Sequence, residues 1–79
     1  MPIVKKMINK SDIKVGDKVY YIPFDGCDAS KIENGMVKEI PDYSEDQIRV
    51  VFHCAGDWEN FNQFISQLTP LDKLEKGWK

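Results

Sequence analysis

Val15-Gly16-Asp17-Lys18-Val19, Gly35-Met36-Val37-Lys38-Glu39-Ile40 and Ile48-Arg49-Val50-Val51-Phe52 decide how this chain is read. A Gly-Asp turn feeds one strand, a glycine opens a second, and an alternating apolar run makes a third. In the third, Ile48, Val50, Phe52 and Cys54 share one face, while Arg49, Val51 and His53 share the other, because side chains on a strand alternate. Short β-branched runs separated by turn chemistry predict a mainly β fold bent into a very small barrel.

Working outward, Lys18-Val19-Tyr20-Tyr21-Ile22-Pro23-Phe24 reads as the first strand, with Pro23 limiting its pairing. Asp25-Gly26-Cys27-Asp28 is a polar loop with turn residues. Gly35 is expected at a bend or bulge at the head of the second strand, Met36 to Ile40. Pro41 to Asp46 is an exposed loop, and Gln47 to Cys54 the third strand. Ala55-Gly56-Asp57 turns the chain, and Phe64 to Leu68 is the fourth strand. Thr69-Pro70 resembles a helix start, which predicts one or two helical turns over Leu71 to Lys76, stopped by Gly77. Trp78 is expected to fold back onto the barrel. Residues 1–12 are a lead-in or an edge strand, and residues 1–79 form a single domain.

With 79 residues, 42% apolar and 30% charged, the chain has the profile of an ordinary globular domain with one modest core. A domain this short buries only about 60% of its unfolded surface. No apolar run approaches the roughly 20 residues that cross a bilayer, and Met1 to Lys10 lacks a signal-peptide core. The expected compartment is the cytoplasm, with Cys27 and Cys54 as reduced thiols. Two cysteines and the single His53 fall short of a four-ligand zinc site. No cofactor motif is present. The acidic loops do not space their oxygens as a calcium loop does, so they are read as solvated charge, with no metal.

Charge is uneven. Residues 1–20 carry five lysines against two aspartates, a balance of +3, whereas the other 59 residues have a balance of −5. A binder of nucleic-acid backbones presents a basic face across its folded surface. Here the body is acidic, and only the first strand and its lead-in are basic.

The Gly16-Asp17-Lys18-Val19, Gly35–Ile40 and Ile48–Phe52 segments, with Phe64 to Leu68, Leu71 and Leu74, resemble the Src-homology-3-like small barrels, including their Tudor and KOW branches. The resemblance covers residues 13–72 and implies a five-stranded barrel with a short C-terminal helical turn. Chain size and Leu74-Glu75-Lys76-Gly77-Trp78 are similar to small proteins of bacteriophage and prophage origin. The acidic body departs from the ribosomal KOW type, which carries a hairpin rich in lysine and arginine.

The nine aromatic residues exceed what one face of so small a barrel can bury. Tudor-like proteins use such a surplus as a cage for a methylated cation beside a carboxylate. Loops after the first and third strands are expected to gather Phe24, Asp25, Asp57, Trp58 and Phe61. The alternative is that Trp58 and Phe61 close one end of a core short of apolar volume. His53 next to Cys54 is no nucleophile–base pair, since neighbours on a strand face apart, and no catalytic signature accompanies either thiol.

The expectation is therefore a non-enzymatic adaptor or binding module for a protein or peptide. Tyr21, Phe24, Trp58 and Phe61 supply contact, and Asp57 and Glu59 supply electrostatic steering. Two alternatives are a nucleic-acid-binding KOW-like module using the first 20 residues and a phage-type counter-defence factor. A homodimer through edge strands is a further expectation, and no membrane partner is expected.

Overall fold

The structure, a computed structural model, describes residues 8–24 and 26–79. The lead-in expectation for residues 1–7, and Asp25 of the expected cage, lie outside the described residues. Residues Lys10–Asp12 form a 3-10 turn rather than an edge strand. The amine of Lys10 donates to the carbonyls of Pro41 and Ser44, which ties this turn to the loop that follows the second strand.

Among the described residues, five strands make one antiparallel sheet: β1 (Lys18–Tyr21), β2 (Glu33–Glu39), β3 (Gln47–Val51), β4 (Gln67–Pro70) and β5 (Leu74–Lys76). Their spatial order is β4-β3-β2-β1-β5. The two edge strands are joined by only three residues, the 3-10 turn Leu71–Lys73. A flat five-strand sheet has edges about 19 Å apart, from four spacings of about 4.8 Å. Four Cα steps reach at most about 14 Å even when fully extended. The sheet is therefore strongly curled.

Local chemistry explains the start of β1. Gly16 adopts φ +93, and the Asp17 carboxylate accepts the Lys14 N–H at 3.0 Å. This turn docks on β2 through Gly16 N–H to the Val37 carbonyl (2.8 Å) and Val37 N–H to the Asp17 carbonyl (3.0 Å). Most of the core lies on one face: Val19, Val37, Ile48 and Val50 are fully buried, joined by Leu74, Leu71, Ile13 and Phe52. A register shift between Val37 and Glu39 adds the bulge that bends β2.

Several expectations are corrected. β1 stops at Tyr21, because Pro23 has no N–H to continue the ladder and Ile22 instead donates to the Lys73 carbonyl at 2.8 Å. Gly35 sits inside β2, opposite Val19, and not at a bend. It is needed because a Cβ there would meet Val50 Cγ1 at 2.6 Å and the Val51 carbonyl oxygen at 2.9 Å. β3 ends at Val51, short of Cys54.

The expected fourth strand, Phe64 to Leu68, is displaced to Gln67–Pro70, and Trp58–Gln63 before it is 3-10 turn. Leu71 to Lys76 is half turn and half strand: after Lys73 the chain extends into β5, which pairs with β1. The fifth strand thus comes from the C-terminal segment. Local helix signals at Thr69-Pro70 lose to the ladder that β5 forms with β1.

The outer face of the sheet is also covered. Cross-strand pairing places Lys18 beside Met36 and Met36 beside Val51 on that face. Val51 is nonetheless fully buried. The 3-10 turn Trp58–Gln63 packs back against β2, and the Lys38 amine donates to the Phe64 carbonyl at 2.7 Å.

Candidate recognition site

Where β1 ends, alternation turns Tyr21 toward the core side, opposite Leu74 of β5 and Glu33 of β2. Its ring meets Phe52 edge-on, with centroids 5.9 Å apart and planes inclined at 64°. The corner they make opens on a cleft of about 130 Å³, walled further by Glu33, Leu68, Thr69 and Pro70. Glu33 stays half exposed at the rim, and His53 Nε2 lies 3.7 Å from its Oε1. Aromatic faces carry negative potential, so two rings beside a carboxylate suit a cationic or flat apolar side chain and disfavour an anion.

The expected site residues divide between the two faces. Tyr21 lines this cleft, and Phe24 follows three residues later, 56% exposed in the loop after β1. Trp58 belongs to the other face, where its ring meets that of Trp78 at 4.9 Å and 53°. Phe61 lies on the same 3-10 turn, half-buried. Asp57 heads that turn, and both its carboxylate oxygens accept from Asn60 Nδ2 at 3.1 Å. Glu59 is exposed one residue beyond Trp58.

The structure thus pairs Tyr21 with Phe52 and Trp58 with Trp78, rather than Tyr21 with Trp58. Sequence reasoning missed Glu33, Phe52, Leu68 and Pro70 as cleft residues. The only signal available was the alternation of Tyr20 and Tyr21, which already requires their rings to part.

Trp78 is fixed to the outer face from several sides. Gly77, at φ +89, donates to the Lys18 carbonyl at 2.7 Å and swings the chain over the sheet. The Trp78 indole N–H then donates to the Gly35 carbonyl at 2.8 Å. Lys18 Nζ sits 4.6 Å from the Trp78 ring centre, and Lys79 Nζ sits 5.8 Å from that of Tyr20. Burial, and then the nearby Glu75 carboxylate, hold the Tyr20 phenol above its ordinary value of 10.0. The ring and amine groups of this face engage one another.

A larger groove of about 390 Å³ lies at the other end of β4. Ile8 and Leu71 supply its buried apolar lining, and Glu45, Asp46 and Asp72 bring carboxylates to it. Leu71 N–H donates to the Asp46 carbonyl at 2.8 Å, which fixes the turn against the start of β3. Pro70 lines both this groove and the aromatic cleft.

Cys54 is buried and Cys27 half-buried, both as free thiols. Among the described residues, no three His, Cys, Asp or Glu side chains are placed to hold a metal ion. No helix among them is long and apolar enough to cross a membrane. Compared with protein-family models, with curated proteins and with solved structures, the chain gives no match.

Proposed function

We propose that this chain is a non-enzymatic recognition module that takes a protein or peptide partner at the Tyr21–Phe52 cleft. The observation that carries the reading is the corner of two inclined rings with the Glu33 carboxylate at its rim. A small aromatic cleft with one polar group is a means of gripping a single side chain of a partner. The scaffold is an Src-homology-3-like barrel in this reading. Its support is the strand order β4-β3-β2-β1-β5 with a 3-10 turn between β4 and β5. Trp58, set on Trp78, serves to hold the C-terminal segment on the outer face and is not the lead contact.

A peptide-display selection against the folded protein tests this, with the selected peptides then mapped by amide shifts. Peptides that shift Glu33, Leu68 and Thr69, and that bind more weakly to Glu33→Gln, support the cleft. A selection that enriches nothing, or peptides that map to Trp58 and Phe61 instead, overturns it.

A further inference from the structure

We infer that the outer face carries a second recognition site, one that takes a tryptophan-bearing segment of a partner protein and is filled here by the chain's own Gly77-Trp78-Lys79. It is separate from the Tyr21–Phe52 cleft, and the segment seated in it defines the ligand chemistry.

Recognition is divided between a side chain and a backbone. The Trp78 ring lies against Trp58 at 4.9 Å and 53°, and its N–H donates to the Gly35 carbonyl at 2.8 Å. Lys18 Nζ stands 4.6 Å from the centre of the same ring. An indole offers a cation the best aromatic face and also carries an N–H donor, which phenylalanine lacks. One residue on, the Asn34 side chain clasps the backbone. Its Oδ1 accepts the Lys79 N–H at 3.0 Å, and its Nδ2 donates to the Lys79 carbonyl at 3.3 Å. An amide paired with both backbone groups of one residue reads where the chain runs and not which side chain it carries. The site thus asks for tryptophan followed by any residue with a backbone N–H, which disfavours proline there.

The segment is attached so that it can leave. Among the described residues, the buried core extends no further along the chain than Leu74, whereas Trp78 is half-buried and Lys79 exposed. Gly77, at φ +89, is the joint between the β5–β1 ladder and the crossing to β2. Glycine takes that conformation at no steric cost and turns freely about it. The ring therefore lifts from Trp58 while β5 stays paired.

Charge does not choose this partner. Lys18, Lys38 and Lys79 stand against Asp57, Glu59 and Glu75 on the strands, turn and segment that make up the face. The signs balance, so selection falls to the indole and the backbone clasp.

Titration of the whole ¹⁵N-labelled chain carrying Trp78→Ala with the peptide Ac-Gly-Trp-Lys-NH₂ tests the inference. The amides of Asn34 and Gly35 and the Trp58 indole N–H are expected to shift toward their wild-type positions. Wild type should bind the peptide about tenfold more weakly, because its own segment competes at an effective concentration on the order of mM. Ac-Gly-Ala-Lys-NH₂ should bind about tenfold more weakly than the tryptophan peptide, and Ac-Gly-Trp-Pro-NH₂ about threefold more weakly. Trp78→Phe keeps a ring on Trp58 and should take the tryptophan peptide about threefold more tightly than wild type does. It decides the matter if Trp78→Ala does not fold.

No shift of these groups at about 10 mM peptide in either variant overturns the site. Equal binding by wild type and variant, or equal binding of the alanine or proline peptide, does the same. So do shifts that fall on Leu68 and Thr69 of the Tyr21 cleft instead. Concentration-dependent shifts of the three groups in wild type without peptide overturn the partner, because a second copy then supplies the segment.

Discussion

The indole of Trp78 donates to the backbone carbonyl of Gly35 at 2.8 Å, across 43 residues of sequence. Gly35 is thus engaged from both sides of the sheet. On the inner side Val50 Cγ1 and Phe52 Cδ1 stand 2.6 and 2.9 Å from where its Cβ would be. On the outer side the indole caps its carbonyl. The pair joins β2 to the C-terminal segment, while the contact of the Trp78 and Trp58 rings, tilted at 53°, joins that segment to the 3-10 turn after β3.

Gly35→Ala should destabilise the domain by about 1–3 kcal/mol, the usual cost of overpacking a core. Alanine gains about 0.5–1 kcal/mol over glycine in a strand from backbone entropy. Here the clash prevails, because one of the close atoms is the Val51 carbonyl oxygen, which cannot rotate aside. Urea denaturation measures this as a lower midpoint with an unchanged slope. A midpoint equal to or above that of the wild type contradicts the packing described for β2.

Trp78→Phe keeps a ring over the sheet and removes the donor to Gly35, so a loss of about 1 kcal/mol is expected. Trp58→Ala and Trp78→Ala should be coupled by about 0.5–1.5 kcal/mol in a double-mutant cycle, the range for a ring pair. Strictly additive losses in thermal or urea melts would show that the two indoles do not stabilise one another. The same melts bear on the cleft. If Trp58 fixes the fold, its alanine variant loses stability, whereas Glu33→Gln at the cleft rim leaves the midpoint nearly unchanged.

Tyr20 gives a dependence on alkaline pH. Its phenol is held above 10.0 by burial and then by Glu75, so the native state binds that proton more tightly than the unfolded chain does. The resulting stability is fully present below about pH 10, the unfolded value, and is lost as pH rises through the higher native value. Absorbance at 295 nm followed through a pH titration should show a late ionisation that Tyr20→Phe removes. Glu75→Gln should move it toward 10 without abolishing it. An ionisation in Glu75→Gln as late as in the wild type removes the carboxylate as a cause.

Much of the fold was legible because its signals are local. The alternation over Ile48–Phe52 needs only the two-residue period of a strand, and it correctly put Ile48 and Val50 in the core and Arg49 and Val51 on the other face. Gly16-Asp17 reads as a strand start because positive φ and an aspartate side-chain acceptor lie within four residues. Gly35 was noticed but misread. A glycine in a strand signals either a bulge or a close approach, and only the position of Val50, fifteen residues later, separates the two.

The cleft was harder to see, since its walls come from β1, β2, Phe52 just after β3, and β4. Nothing within a short window links Glu33 to Phe52 or to Leu68. Loop proximity suggested Phe24 with Trp58 and Phe61, but side chains from neighbouring loops can lie on opposite faces of the same sheet.

By itself, then, the sequence determined a small β domain with surplus aromatics, a basic start and an acidic body, because composition and short periods are properties of the chain. Tertiary structure alone decided that the C-terminal segment supplies the fifth strand, that Trp58 faces Trp78, and that Tyr21 and Phe52 share a cleft. Three residues between β4 and β5 bring the two edges of the sheet close together. That curl sets which side chains meet, and no local pattern encodes it.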